Sequence, residues 1–451
     1  MKIYAYPSSS AEKRLSVIQG RVQSFNPKDH QAVARILEDV RKHGDLAVIN
    51  YANRFDSPCL TIENIQAGFQ EYETAAGQVS PEFLASLDRA ASQIESFHRK
   101  QSVKSWIDTP RPGTLLGQIV NPVGTAGIYV PGGKAGMTPL VSTVLMCAIP
   151  ARIAGVSTLV MATPSTPDGT VNPHLLAAAR RVGIDAVYKV GSAWAIAAMA
   201  YGTGIIPKCD VIVGPGNIYV TLAKKMVAGS VGIDMIAGPS EILIIADESA
   251  NPEYTAADLL SQAEHDPMAS AILVTPAQKT AEQVAEAVYR QLKDLVRQDI
   301  AEASLKNFGA VFVVKDIDAA FDLSNAISPE HLELHLNSPL EYIERIRNAG
   351  AVFMGHYTPE PVGDYIAGPN HVLPTSGTAR FSSALSVDHF IKKTSLIHYS
   401  ETAFRQEAPD IIRLAEIEGL GAHARSVTIR LNGGLDNSRG DTAHILSDKI
   451  R

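Results

Sequence analysis

The sequence has few cysteines. Cys59, Cys147 and Cys209 are odd in number, far apart, and form no CxxC pair. That argues against a disulfide framework and a thiolate zinc site, and it fits a reducing compartment. Long apolar runs are also missing: no window approaches the ~18 uninterrupted apolar residues of a membrane-spanning helix. The opening MKIYAYPSSSAEKRL lacks the apolar stretch of a secretory signal. There is no basic block and no aromatic–basic stripe, and the net charge is −7, so no general attraction to phosphate backbones is expected. The expectation is a cytoplasmic protein without nucleic-acid or membrane partners.

What is present has the texture of a globular protein, 45 % apolar and 19 % charged. At 451 residues the chain is too long for one ordinary domain. Residues 27–55 carry apolar side chains at helical spacing (Val33, Ile36, Leu37, Val40, then Leu46, Ala47 and Tyr51), with Gly44 as a break. Ser80 and Pro81 open another helix as cap and first residue, and it continues through Phe83, Leu87, Ala90, Ile94 and Phe97. From about Leu115, Val/Ile-rich runs alternate with helical segments. Strands are expected at 127–130, 158–163, 186–190 and 210–213, and helices at 139–154, 172–182, 193–202 and 217–227. After Pro239 the rhythm repeats, with strands at 241–246, 271–275, 310–314, 332–336 and 351–354 and helices at 251–263, 280–295, 317–326 and 340–348. The pattern predicts an α/β protein: two tandem Rossmann-like parallel-sheet modules behind a helical N-terminal region. Ligands are expected at the carboxyl ends of the strands. The tail from about Leu385 adds a helix over 402–418 and a short β-type stretch over 426–430. It is too small for its own core, so it should dock on its own body or on a partner chain.

Four segments carry chemistry. Gln262 and His265 stand three apart at a helix end, so a carbonyl oxygen and an imidazole can share one metal ion; a helix-terminal histidine also suits the helix dipole. Glu330 and His331 precede a strand on which His331, Glu333 and His335 take one face and Leu332 and Leu334 the other. A Glu–His pair suits general acid/base work, or simply a polar strand end. Asp364, beside Gly363 and ahead of Gly368-Pro-Asn-His371, is a hard-oxygen metal ligand or a turn residue bonded to its own backbone. Glu418 and His423 flank Gly419 and Gly421; a helix stop explains the glycines but does not need the histidine.

The glycine-rich stretches are atypical. Residues 127–134, GIYVPGGK, are not a P-loop: the spacing from Gly127 to Gly133–Lys134 is one residue too long, and Ala135 stands where a hydroxyl should ligate magnesium. Gly214-Pro-Gly216-Asn217 joins a strand to a helix start, where backbone N–H groups can face an anion. Neither is a full GxGxxG fingerprint.

Taken in order, GIYVPGG, GPGNIYVTLAKK, AGPSEILIIAD, SQAEHDP, SPEHLEL, GPNHVLPT with TARFSSALSV, and EGLGAHARSV resemble the histidinol dehydrogenase family over roughly residues 25–430. The resemblance implies a zinc-dependent, NAD-using oxidation of L-histidinol to L-histidine through L-histidinaldehyde, with two NAD consumed and one zinc ion per subunit. It implies Gln262, His265, Asp364 and His423 as zinc ligands, His331 as general base, and Glu330 as the residue that activates water on the aldehyde. Ser240, Glu418 and His335 fall in segments similar to the substrate pocket, which would also include Gln262, His265, His331, Asp364 and His423. Tyr129 and Asn217 match NAD-contacting positions. The family resemblance further implies a homodimer whose C-terminal tail brings Glu418 and His423 to the partner's active site. The division expected on this basis is an N-terminal extension (1–25), a main domain with the zinc and catalytic residues (26–128 with 239–384), an NAD-binding domain (129–238) and a dimerisation tail (385–451).

Two departures touch cofactor binding. Where the family has a glutamine in a GGAQAI-like segment, this chain has Gly191-Ser-Ala-Trp194-Ala-Ile; Trp194 either stacks on the cofactor or fills space. The loop 134–141 looks longer than usual, and Lys134 there either meets the NAD pyrophosphate or covers surface. The alternative within the same chemistry is a dehydrogenase of another small polar alcohol, such as a hydroxylated sulfonate. Glu330, His331, Glu418 and the GPSE segment favour histidinol. A zinc hydrolase would not need two α/β modules, and a non-catalytic metal binder would not need the Glu330–His331 pair.

Overall fold

The computed structural model describes residues 1–21, 26–132 and 138–433, so Lys134 and the first half of the loop 134–141 lie outside the described residues. The chain divides into two units, Met1–Ser102 with Pro122–Ile391, and Val103–Asn121 with Lys392–Arg451.

The first unit begins with β1 (Ile3–Ala5) and the helices α1 (Ser9–Gln19), α2 (Pro27–His43), α3 (Asp45–Phe55), α4 (Phe69–Ala76) and α5 (Pro81–His98). Asn26 caps α2, accepting from Lys28 N–H, and Pro27 opens it. Gly44, at φ +54°, breaks the run between α2 and α3 as the sequence implies. Ser80 caps α5 through Phe83 N–H.

After β2 (Trp106–Asp108) and β3 (Thr114–Pro122), which belong to the second unit, comes a five-stranded parallel sheet. Its elements are β4 (Thr125–Tyr129), α6 (Val141–Ala154), β5 (Thr158–Thr163), α7 (Pro173–Arg181), β6 (Ala186–Lys189), α8 (Ser192–Tyr201), β7 (Val211–Val213), α9 (Ile218–Val227) and β8 (Gly232–Ile233). The strand order is β6-β5-β4-β7-β8. Side-chain alternation divides its core: Ile128, Leu159 and Met161 pack under α5, α6 and α7, while Val160, Ala162 and Ile212 pack under α2, α3, α8 and α9. Helix α8 is apolar all round, and Ala193 through Ala200 are all buried. Helices α2 to α5 therefore cover the two faces of this sheet, whereas α1 packs through Ala11 and Ile18 on the later module. The buried stripe Val33, Leu37 and Val40 is what docks α2 there.

The second sheet has six parallel strands in the order β1-β11-β10-β9-β12-β13. Its elements are β9 (Glu241–Ala246), α10 (Pro252–Ala263), β10 (Ser270–Thr275), α11 (Gln278–Gln291), α12 (Gln298–Phe308), β11 (Ala310–Val313), α13 (Ile317–Ile327), β12 (His331–His335), β13 (Ala351–Met354) and α14 (Glu360–Tyr365). Residues 3–5 are thus an edge strand of this sheet and not a separate extension. The helix expected over 280–295 stops at Gln291; α12 was not foreseen, and the helix expected at 340–348 is the 3-10 turn Pro339–Arg345.

The second unit holds a three-stranded sheet ordered β14-β3-β2, with β14 at Ile391–Tyr399, followed by α15 (Glu401–Ile417) and α16 (Gly421–Leu431). The β-type stretch expected at 426–430 is part of α16. Val427 and Ile429 alternate like a strand, but the run has no neighbouring strand to pair with. Instead the small buried residues Ala408, Ala415 and Ala424 let α15 and α16 pack together. No helix among the described residues is long and apolar enough to cross a membrane.

Candidate active site

The chemistry-bearing residues of the first unit gather at the amino ends of β9 and β12, the reverse of the carboxyl-end placement expected from the sequence. Strand β9 opens at Glu241, directly after Ser240, and its neighbour β12 opens at His331, directly after Glu330. Helix α10 runs back from the far end of β9, so Gln262 in its last turn and His265 just beyond it return to the same rim. Ser328, at φ +59°, ends α13 in a left-handed turn that feeds Pro329 and Glu330 into β12.

Glu241 ties the rim together. Its N–H donates to Glu330 Oε2 at 2.9 Å, its Oε2 accepts Glu330 N–H at 3.1 Å, and its carbonyl accepts from His331 Nδ1 at 2.9 Å. A carbonyl only accepts, so the proton is on Nδ1, and Nε2 keeps its lone pair. Nε2 faces Glu360 Oε1 at 3.8 Å, and His331, Glu360 and Asp364 form one cluster of potential ligand atoms. His265 is close enough to His331 for their charges to oppose each other. Among the described residues the buried Oε1 atom of Gln262 has no hydrogen-bond partner, the state of a ligand atom reserved for something those residues do not supply.

Burial sets the protonation of this cluster. It pushes the His331 and His265 rings down, favouring their neutral forms. It raises Glu330 well above the usual carboxylate range, with the charge of Glu241 adding to the effect. It pushes Asp364 up to about 7, helped by Glu360, and Glu360 up to about 7, helped by Asp258. His371, with Nδ1 at 3.8 Å from Asp364 Oδ1, is driven down to about 4 by burial and the nearby His331. Beside Asp364 and His371 lies a cavity of about 280 Å³ walled by Phe97, Phe353 and Val362, with room for one small molecule.

His335 is elsewhere. It lies four residues along β12 from His331, about 13 Å at strand rise, in a group of its own with Asp258, Glu333 and Thr255. Burial opposes its charge, but the Asp258 and Glu333 carboxylates outweigh that and raise it to about 9. Glu333 in turn accepts Glu360 N–H at 2.8 Å. Glu418 and His423 are exposed residues of the second unit.

The five-stranded sheet has a switch point of its own. Its strand order reverses between β4 and β7, and ligands of doubly wound folds sit at the carboxyl ends beside such a switch. There Tyr129 closely approaches Gly214. Gly214 has φ +116°, and a Cβ on it would fall 2.1 Å from the Tyr129 carbonyl oxygen, so only glycine fits. A buried pair holds the loop: Lys224 Nζ donates to Gly214 O at 2.9 Å and contacts Asp234, whose Oδ2 accepts Gly214 N–H at 2.8 Å. Asn217 caps α9 through Tyr219 and Val220 N–H. Trp194 is buried between Tyr51 and Phe55, with Nε1 donating to Asp56 at 3.3 Å, so its ring packs into the interior.

The family model described as histidinol dehydrogenase matches residues 20–431. The chain belongs to the histidinol dehydrogenase family. Similar relatives include histidinol dehydrogenases from Desulfotalea psychrophila, 52 % identical over 94 % of this chain and 98 % of that one, and from Geobacter metallireducens, 49 % identical over 96 % and 99 %. A solved structure of histidinol dehydrogenase from Elizabethkingia anophelis matches with TM-score 0.89 at 39 % identity, covering 96 % of this chain and 98 % of that one.

The single chain thus brings Glu330, His331 and Asp364 together with His265, and among the described residues the Gln262 oxygen has no partner. Sequence reasoning missed Glu360, Glu241, Arg21 and the Lys224–Asp234 pair. Glu360 was within reach, because it precedes Asp364 by one helical turn. The others act through partners too distant in sequence to leave a local signal.

Proposed function

We propose that this chain oxidises L-histidinol to L-histidine by way of L-histidinaldehyde, the closing steps of histidine biosynthesis, in two hydride transfers to NAD with one zinc ion per subunit. The observation that carries the reading is the His331 ring. Its Nδ1–H is committed to the Glu241 carbonyl, so a neutral imidazole presents a free Nε2 beside Asp364. That nitrogen takes the proton of the substrate hydroxyl as the carbinol hydrogen departs as hydride. At the aldehyde stage Glu330, held beside His331 by its two hydrogen bonds to Glu241, takes a proton from the attacking water.

The residues fit a zinc ion. The unpartnered Gln262 oxygen, a His265 ring kept neutral by burial, the Asp364 carboxylate and His423 make a mixed N/O donor set. Bound zinc supplies a fixed positive centre for the imidazole and amino nitrogens of histidinol, and bound NAD supplies the hydride acceptor. Ser240 and Glu418 complete the substrate pocket. Tyr129 and Asn217 border the NAD cleft, and Trp194 supports its wall from inside. Ile411, Leu414, Ile417 and Leu420 form an exposed apolar row on the second unit, beside Glu418 and His423. We assign that row to a homodimer contact that carries Glu418 and His423 to the partner's site. The three free cysteines agree with a cytoplasmic location.

The test is reduced cofactor formed by zinc-loaded protein with excess NAD. About two per L-histidinol, with histidine as product, is expected. Reduction with another small polar alcohol but none with histidinol would overturn the substrate. His331→Asn should keep its zinc and lose about 10²- to 10⁴-fold in turnover. Loss of zinc would instead make His331 a ligand, the second reading that its cluster with Glu360 and Asp364 favours. Mixed dimers of His331→Asn and His423→Ala chains should regain part of the activity that each lacks alone, and no recovery would refute the crossing tail.

A further inference from the structure

Glu241 touches the Glu330–His331 pair through three hydrogen bonds, two to Glu330 and one to the His331 ring. Its remaining oxygen, Oε1, is held from outside the pair. Ser376 N–H donates to it at 3.1 Å, and Arg21 Nη2 donates at 2.5 Å. Arg21 is itself fixed: Nη1 donates to Ile18 O at 3.1 Å and Nε to Met268 O at 3.2 Å. Both side chains are almost fully enclosed, 4 % and 7 % exposed. Arg21 follows α1, in the segment expected from the sequence to be an N-terminal extension, and stands 220 residues from Glu241.

A buried guanidinium with a bond on each of its three nitrogens is an expensive way to fasten a chain end, because replacing such a pair by apolar residues is often neutral for stability. Its geometry has a more specific use. With Oε1 pinned by Arg21, Glu241 cannot rotate, so Oε2 stays under Glu330 N–H. The first residue of β9 then stays in register, with its carbonyl on His331 Nδ1. We propose that Arg21 is a positioning residue for the oxidation, holding the Glu330 carboxyl and the His331 ring in place through Glu241. The inference rests on the roles proposed above for Glu330 and His331.

The experiment uses the full-length zinc-loaded protein with Arg21→Lys, Arg21→Ala and the double variant Arg21→Ala/Glu241→Gln. Turnover should fall about 10- to 100-fold in Arg21→Ala, the usual cost of losing an outer partner of a site, while KM for histidinol and for NAD stays within about threefold. Arg21→Lys should recover part of the loss. A cavity of about 290 Å³ lined by Arg21, Glu241, Ser376 and Arg380 borders the pair, giving a small planar cation room to replace the missing group. Guanidinium chloride below denaturing concentrations should therefore restore turnover of Arg21→Ala several-fold. Sodium chloride should not, and the double variant should not respond. Unchanged turnover in Arg21→Ala would overturn the proposal, as would a loss matched by the unfolded fraction without guanidinium rescue. Should Arg21→Ala fail to fold, Arg21→Lys carries the test through ring ¹⁵N shifts of His331, assigned with His331→Asn. A lone Nδ1–H tautomer in the parent and a mixed one in Arg21→Lys is expected, and identical spectra with identical turnover refute the role. The spectra stand even if the parent fails to oxidise histidinol, so the two readings fail separately.

Discussion

Replacing Lys224 by methionine isolates what holds the Gly214–Asn217 loop, to which NAD binding was assigned above. The Lys224 and Asp234 side chains are 4 % and 0 % exposed, and Lys224 also bonds the Gly214 carbonyl. Removing one partner of a buried ion pair costs roughly 3–5 kcal/mol, because the other charge is left without compensation. Asp234 keeps two backbone donors, Gly214 N–H at 2.8 Å and Met235 N–H at 2.7 Å, which places the expected cost at the lower end, about 3 kcal/mol. Adding Asp234→Asn removes the stranded charge and should bring back about half of that loss. The two tryptophans make the assay local: Trp106 lies in the second unit and Trp194 in the first. In a Trp106→Phe background, urea unfolding followed by fluorescence reports the first unit, read at one protein concentration so that assembly does not shift the midpoint. Turnover should also show a raised KM for NAD, with KM for histidinol unchanged. A single variant that loses less than ~1 kcal/mol would refute the reasoning, as would a double variant that loses the sum of both singles.

Burial pushes Asp56 up to about 6 from an ordinary carboxylate value of 3.8. A raised carboxyl stabilises the fold below its unfolded pKa and loses that contribution as the pH climbs through about 6. Asp56→Asn should therefore keep up to about 3 kcal/mol that the parent loses between pH 4 and 7. Trp194 fluorescence should titrate near pH 6 in the parent alone, and identical pH profiles would contradict the assignment. Gln262→Ala should bind zinc at least ~10-fold more weakly in a chelator competition, with its far-UV spectrum unchanged; equal retention would remove Gln262 from the ligand set. Leu414→Glu with Ile417→Glu should weaken self-association at least ~10-fold by sedimentation, and a dimer that persists would put the interface elsewhere.

Local pattern made much of this fold legible. Strands 158–163, 241–246 and 351–354 lie where alternation and Val/Ile content put them, and Gly44 separates α2 from α3 for the conformational reason visible in the sequence. The Glu330–His331 pair was also readable, because it stands at the head of a strand whose alternation sorts His331 from Leu332. The misses all depend on distant partners. Val427 and Ile429 looked like a strand until Ala424 had a helix to meet, and β1 is too short to be seen except beside β11. The carboxyl-end rule points to the switch between β4 and β7, whereas the Glu330–His331 pair stands at the amino ends of β9 and β12. The turn of α10 that returns Gln262 and His265 to the amino ends follows from three-dimensional path length and leaves no mark in composition. Nothing near Arg21 or Lys224 in the sequence marks them, because their partners Glu241 and Asp234 come beside them only in the fold.

The placement of His331 and Glu241 at the heads of two neighbouring strands has a consequence for how such a protein can change. In parallel α/β proteins new specificity usually arrives by exchanging loops at the carboxyl rim. Here that rim, with residues such as Asp247 and Asn337, lies a full strand length from the Glu330–His331 pair, whose spacing is set by the ladder His331↔Ile242. Insertions on the carboxyl rim can alter surface and assembly while the Glu330–His331 geometry stays clamped to the backbone. Innovation in substrate must therefore come from elements that close over the opposite rim.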